Sequence, residues 1–349
     1  MGIELTKGDL LRQEGVDAIV NTVNCVGVMG KGIALQFKKK WPENFRAYEL
    51  ACKRKEIRPG KMFVYDSGGL LKPNFIINFP TKDHWREKSK IEYIRDGLDD
   101  LLAQLTRLGI KSVALPPLGC GNGGLDWSDI RPIIEEAFEE KAPLIRAILF
   151  EPAGAPDPKQ MVTRTNKPAM TPGRAAILKL LDVYKALNYG LSKVEVQKLA
   201  YFLEAAGQPL KLDFQKNAYG PYSDRLRHAL EAMDGHYIVG LGDGVGDAEI
   251  AVAPTALYEA EAFIADNDHD GLGERVSKVA ELIDGFQSPY GMELLSTVHW
   301  AAEKEGANNP SEALIRIQQW NARKKSLMTA DHVNHAWDRL SESGFLKAI

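Results

Sequence analysis

Two glycine-rich loops, each placed directly after a run of apolar and β-branched residues, constrain this chain more than any other feature. The first is Asn21-Thr-Val-Asn24-Cys-Val-Gly27-Val-Met-Gly30-Lys-Gly32-Ile-Ala-Leu, and the second is Leu115-Pro-Pro-Leu-Gly119-Cys-Gly121-Asn-Gly123-Gly124-Leu-Asp-Trp. A strand that feeds such a loop and then a helix is the repeating unit of a layered α/β fold, whose loops gather at the strand C-termini. Glycine lets the main chain approach an anion closely, so backbone N–H groups can cradle a phosphate. Two such loops could grip a diphosphate from both sides. Between them, Asn78-Phe-Pro-Thr81-Lys82-Asp83-His84-Trp85 delivers a lysine and a histidine to the same mouth, a combination suited to chemistry on a nucleoside diphosphate sugar.

The rest of the first 150 residues agrees with that frame. Apolar patterning predicts strands over 3–6, 17–21, 61–65, 74–79, 112–115 and 145–150, and helices over 32–41, 89–108 and 129–140, the first of them stopped by Pro42. Alternation of this kind predicts a three-layer α/β/α domain. From Glu151 onward the texture changes to Pro-Ala-Gly-Ala-Pro-Asp-Pro and Asn-Lys-Pro-Ala-Met-Thr-Pro-Gly, which reads as a linker over 153–173 between a domain at 1–152 and another at 174–349. In the latter, helical periodicity and capping residues predict a mainly helical fold, with helices over 174–187, 193–206, 222–233, 254–265, 273–285, 289–305, 311–321 and 329–344.

Bulk properties narrow the class. At 349 residues the chain is long for one core. No apolar stretch approaches the roughly 18 residues of a membrane span, so the reading is a cytoplasmic protein with no membrane partner. Three cysteines, Cys25, Cys52 and Cys120, make no even set and no Cys-x-x-Cys pair, which argues for reduced thiols rather than disulfides or a zinc knuckle. His332-x-x-His335 lacks a neighbouring carboxylate or thiol, so no metal is assigned. The net charge of −3 divides unevenly: residues 1–170 carry 26 Lys and Arg against 22 Asp and Glu, and residues 171–349 carry 18 against 25. A net +4 suits a polyanionic substrate, and a net −7 suits a basic protein partner.

Several motifs have a plainer alternative. Gly119-x-Gly121-x-Gly123-Gly124 approaches a dinucleotide fingerprint, but that motif opens the first βαβ unit of its domain and this one sits near the end. Asn24 could hold ribose hydroxyls or only shape its turn. Lys82, as an ordinary surface lysine titrating near 10.4, would be almost wholly protonated; activation as a nucleophile requires a depressed pKa. Trp85, Arg86, Lys88 and Lys90, together with Lys38-Lys39-Lys40-Trp41, interleave rings and cations as single-strand nucleic-acid binders do, and as ordinary charged helix ends also do.

Taken in order, Lys7-Gly8-Asp9-Leu10, Asn21-Thr-Val-Asn24, Gly30-Lys-Gly32-Ile-Ala and Pro117-Leu-Gly119-Cys-Gly121-Asn-Gly123-Gly124-Leu resemble the macrodomains, an ADP-ribose-binding fold, over residues 1–152. The resemblance implies an α/β/α macrodomain with a mixed central sheet. Gly32-Ile-Ala-Leu-Gln-Phe-Lys-Lys-Lys-Trp-Pro and Pro80-Thr81-Lys82 are similar to the branch containing terminal ADP-ribose protein glycohydrolase, and more so to the antitoxin family of DarT–DarG toxin–antitoxin pairs. It implies an enzyme without cofactor that removes ADP-ribose from bases, typically thymidine, in single-stranded DNA, with a DarT-like toxin as protein partner of the second domain. A non-catalytic ADP-ribose reader and a hydrolase of protein-linked ADP-ribose are the alternatives. By position, Asp9 and Leu10 would hold the adenine and Asn24 the distal ribose. Gly30, Lys31, Gly32, Ile33 and Ala34, with Thr81 and with Leu118, Gly119, Cys120, Gly121, Asn122, Gly123 and Gly124, would hold the rest of the ligand. Lys82 matches the catalytic lysine. The aspartate that the terminal glycohydrolase carries in its second loop is here Gly123, so Lys82 could instead act as a cation or proton donor toward the departing base, with help from His84.

Overall fold

The computed structural model describes residues 2–69, 71–184, 190–267 and 271–346. It divides into two compact units, one comprising Met1–Asn166 with Gly242–Gly246 and the other Lys167–Leu241 with Asp247–Ile349. The stretch 153–166 therefore packs with the first unit, and so does a short piece from far along the chain.

The first unit is built on six strands, β1 (Ile3–Thr6), β2 (Ala18–Val23), β3 (Phe63–Asp66), β4 (Phe75–Pro80), β5 (Ser112–Leu115) and β6 (Arg146–Phe150), in the order β1-β6-β5-β2-β4-β3. Every neighbouring pair is parallel except β3 with β4, which gives the mixed sheet expected. Side chains alternate across the sheet. Ile19, Ile76, Ala114 and Ile148 pack with Phe37 of α1 (Gly32–Lys40) on one face. Val20, Ile77, Val113 and Leu149 pack with α3 (Ile91–Arg107) and α4 (Trp127–Lys141) on the other. Pro42 does end the first helix, and it also opens another, α2 (Pro42–Lys53), from its first turn, where the missing N–H has no intrahelical partner to lose.

Polar residues fix the register at the centre of this sheet. Asn21 of β2 lies opposite Asn78 of β4 and donates from Nδ2 to Asn78 Oδ1 at 3.0 Å. Asn78 Nδ2 in turn donates to Asn44 Oδ1 of α2 at 2.7 Å. All three residues are fully buried, and a slip by one residue would strand their amides in an apolar layer.

The second unit is mainly helical, with α5 (Pro172–Tyr184), α6 (Lys193–Ala205), α7 (Asp224–Met233), α8 (Pro254–Asn267), α9 (Leu272–Ile283), α10 (Pro289–Glu303), α11 (Pro310–Trp320), α12 (Ala322–Leu327) and α13 (Ala330–Glu342). The last part of the helix expected over 174–187 lies outside the described residues. Gly220–Tyr222 pairs with Gln215–Asn217 as a short antiparallel hairpin, so the helix expected from 222 begins two residues later. Helix α10 is buried continuously from Gly291 to Ala301, as the central rod of a bundle must be. Its Glu293, 2% exposed, meets Lys324 Nζ at 2.6 Å and Arg323 Nη1 at 2.7 Å.

Helix α3 approaches the sheet at Gly97, where an added Cβ would fall closer than 3.0 Å to the Phe79 ring of β4. Gly97→Ala should therefore destabilise the first unit by about 1–3 kcal/mol through overpacking, against a gain of under about 1 kcal/mol in helix propensity. Chemical denaturation of the variant should show a lowered midpoint.

Candidate active site

The first glycine loop leaves β2 and is shaped by Asn24. Its Oδ1 accepts from Val26 N at 3.0 Å and Val28 N at 3.3 Å, and its Nδ2 donates to Val28 O at 2.6 Å. Tyr48 of α2 donates its hydroxyl to Asn24 O at 2.6 Å. Asn24, 7% exposed, thus orders its own loop. Beyond it Gly30 is half-buried, Lys31 exposed, and Gly32, Ile33 and Ala34 form the first turn of α1, whose N–H groups have no intrahelical acceptor.

One of those N–H groups has an acceptor the sequence did not foretell. Gly32 N donates at 2.8 Å to Asp243 O, in the Gly242–Gly246 segment that belongs to this unit. Asp243 is 4% exposed, and its Oδ2 accepts from Gln36 Nε2 at 2.9 Å, so a carboxylate lies by the first turns of α1, where the helix dipole favours it. The alternating glycines of Gly240-Leu-Gly-Asp-Gly-Val-Gly signal a loop, but nothing in them tells which unit it joins.

The second loop is a set of tight turns, with Cys120 N bonded to Pro117 O at 3.2 Å and both Gly124 N to Gly121 O and Leu125 N to Gly119 O at 3.1 Å. Leu118, Gly119 and Gly123 are buried beneath it, and Gly121, Asn122 and Gly124 face outward. An added Cβ at Gly123 would fall closer than 3.0 Å to Gly119 O and Ser89 Oγ. The loop therefore excludes any side chain at Gly123, where the family resemblance points to an aspartate.

Lys82 stands between the two loops. Strand β4 ends at Pro80, the buried Thr81 continues the ladder through Thr81 N to Val23 O at 3.0 Å, and Cys25 N bonds Asp83 O at 2.9 Å. On the other side the Lys82 ammonium donates to the Asn122 carbonyl. Partial burial there holds its pKa below the ordinary lysine value. The nearby thiols move the opposite way: burial foremost, then Asp83, pushes Cys25 up to about 12, and burial, then Asp126, pushes Cys120 to about 11. Neither is a thiolate at neutral pH, so neither is a competent nucleophile. His84 accepts a hydrogen bond at Nδ1 from Arg86 N at 3.3 Å.

Asp9 caps a short 3-10 turn, its Oδ1 accepting from Leu11 N at 2.9 Å, with Leu10 buried. In the second unit His332 Nδ1 meets the Tyr290 hydroxyl at 2.7 Å. Among the described residues no group of three or more His, Cys, Asp or Glu side chains is placed to hold a metal, and no helix is long and apolar enough to cross a membrane.

A three-layer domain with two glycine loops closing on a lysine at the end of a central strand has the form of a macrodomain, and a family model described as Macro domain matches residues 20–134. The chain is 46% identical over 345 residues to the DNA ADP-ribosyl glycohydrolase of Thermus aquaticus, covering 99% of this chain and 94% of that one. The DNA ADP-ribosyl transferase-DNA ADP-ribosyl glycohydrolase fusion protein of Thermosipho africanus is 35% identical over 147 residues, 38% of each chain. The solved macrodomain of Mycobacterium tuberculosis DarG is 56% identical, covering 44% of this chain and 100% of that one, with a TM-score of 0.43. The chain belongs to the DNA ADP-ribosyl glycohydrolase family, and it is a hydrolase.

If Gly123 is excluded from bearing a side chain, Gly123→Asp should not add an acid to the site but should disorder the second loop. Thermal unfolding should move to lower temperature, and amide exchange at Cys120–Leu125 should accelerate, with no gain in hydrolysis.

Proposed function

We propose that this chain hydrolyses the N-glycosidic bond joining ADP-ribose to a base, thymidine, in single-stranded DNA, and that its helical unit sequesters a DarT-like toxin in the cytoplasm. The observation that carries the hydrolytic reading is the placement of Lys82 between the two glycine loops. In this reading Asp9 and Leu10 receive the adenine. The N–H groups of Ile33 and Ala34 in the first turn of α1, next to the Gly32 N–H that Asp243 O takes, and the outward face of Gly119–Gly124 receive the diphosphate, as fixed backbone dipoles do for anions. The distal ribose then lies at Lys82, with Thr81 beneath.

Gly123 leaves Lys82 without the acid–base partner of the related glycohydrolase, so the lysine is assigned as a proton donor. The bond between the anomeric carbon and the base nitrogen breaks, its electron pair stays with the nitrogen, and the nitrogen takes a proton from Nζ. Water adds to the anomeric carbon, and its released proton restores the ammonium. Stabilising charge as it develops on the leaving base is where a fixed cation contributes most.

Lys82→Ala should lower kcat on ADP-ribosylated single-stranded DNA by at least about 100-fold and leave ADP-ribose affinity within about tenfold, read by calorimetry. A lysine whose folded pKa is depressed is protonated below that pKa and neutral above it. Activity that uses the ammonium should be full at neutral pH and fall as pH rises through a value below 10.4. Rising activity over that window, or a borohydride-trapped lysine adduct, would instead make Lys82 a nucleophile. ADP-ribosylated protein turned over in preference to DNA would overturn the substrate.

The toxin reading is supported by the net −7 of residues 171–349, which complements a DNA-binding surface, and by the Thermosipho relative, whose name joins both activities in one chain. Full-length Lys82→Ala should still block DNA modification by the toxin at stoichiometric ratio, with salt-sensitive affinity. Loss of that block would show that protection is hydrolytic alone.

A further inference from the structure

We propose that the turn at residues 84–87 is a stacking platform for a base flanking the modified one, with Trp85 as its surface and Arg86 as its phosphate contact. The proposal rests on the single-stranded DNA substrate assigned above. An exposed tryptophan alone is unremarkable, since much of any protein surface is apolar. Three observations set this one apart.

The first is anchoring. Glu87 N bonds His84 O at 3.0 Å to close the turn, and the segment is tied on both flanks, by Cys25 N to Asp83 O at 2.9 Å and by Ser89 N to Gly123 O at 3.0 Å. Those anchors are the two glycine loops themselves, so the turn keeps its position relative to Lys82. Three residues span at most about 11 Å of chain, which keeps Trp85 within reach of a nucleotide beside the one at Lys82.

The second is the assembled stack. The Trp85 ring lies 5.4 Å from the His84 ring, 32° from parallel, and the Arg86 guanidinium carbon lies 4.6 Å from the Trp85 ring centroid. Trp85 nevertheless remains 47% exposed. A ring ordered by neighbours and left open offers a base a π-face at little further entropic cost, and stacking of this kind tolerates any base.

The third is charge. Residues 82–90 carry Lys82, Arg86, Lys88 and Lys90 against Asp83 and Glu87, and all but the half-buried Lys82 are exposed. A net positive stretch beside an open ring suits a nucleic-acid backbone.

The test compares the full chain with Trp85→Ala, Trp85→Phe and Arg86→Ala on two substrates, an ADP-ribosylated single-stranded oligonucleotide and ADP-ribosylated thymidine without flanking nucleotides. Trp85→Ala should raise KM for the oligonucleotide about tenfold with kcat within about twofold, and Trp85→Phe should recover most of the difference. Arg86→Ala should flatten the salt dependence by about one phosphate contact, a slope change of about 0.7. All variants should match the wild type on the nucleoside. An unchanged oligonucleotide KM in Trp85→Ala, or equal losses on both substrates, would overturn the platform. Failure of the wild-type chain to act on the oligonucleotide would overturn the substrate reading and the platform with it.

Discussion

The buried amide contact between Asn21 and Asn78 is the constraint on which the rest of the first unit depends. It locks β2 and β4 in parallel register, Val23 opposite Pro80, so that both strands end at the same level. From that level the first glycine loop departs on one side and the Thr81–Trp85 segment on the other. Lys82 reaches the junction because no slip of β4 is open to it: a slip would bury unpaired amides, and an unpaired buried polar group costs about 1–3 kcal/mol. Asn44 ties the same contact to α2, whose Tyr48 then holds the carbonyl of Asn24. A short polar relay thus connects the centre of the sheet to the shape of the ligand loop.

Much of this was legible in the sequence. The six strands of the first unit, three of its four α-helices (α1, α3 and α4) and the two loops each announce themselves locally, through period-two or helical spacing and through glycine, whereas α2, behind Pro42, does not. Lys82 stands out through the resemblance of Pro80-Thr81-Lys82 to the glycohydrolase family; on its own residues it reads equally as an ordinary solvated lysine at a strand end. What the sequence withheld is what depends on distant pairings. That Asn24 orders its own loop is seen only in its partners Val26, Val28 and Tyr48. The vacancy at Gly123 reads as a missing acid; in three dimensions it is a steric requirement imposed by Gly119 O and Ser89. The contact of Asp243 with α1 joins positions more than 200 residues apart, beyond any local pattern.

Electrostatics separates the reactive groups that crowd the mouth of the site. Burial raises the pKa of a thiol and lowers that of an amine, because in each case it disfavours the charged form. The same partial dehydration that silences Cys25 and Cys120 brings Lys82 closer to proton exchange near neutrality. One environment therefore moves the thiols and the amine toward their neutral forms alike, which disarms the thiols as nucleophiles and not the amine.

The first unit's inclusion of Gly242–Gly246 bears on how such a chain can be divided. A polypeptide ending before Lys167 carries all six strands, both glycine loops and Lys82, yet leaves Gln36 Nε2 and the Gly32 N–H without their acceptors on Asp243. The boundary of the unit in space and its boundary in the gene are different boundaries. Shuffling, truncation or fusion at the proline-rich stretch moves a reading frame cleanly and a folded object incompletely, and selection on the later segment acts in part on the helix that opens at Gly32.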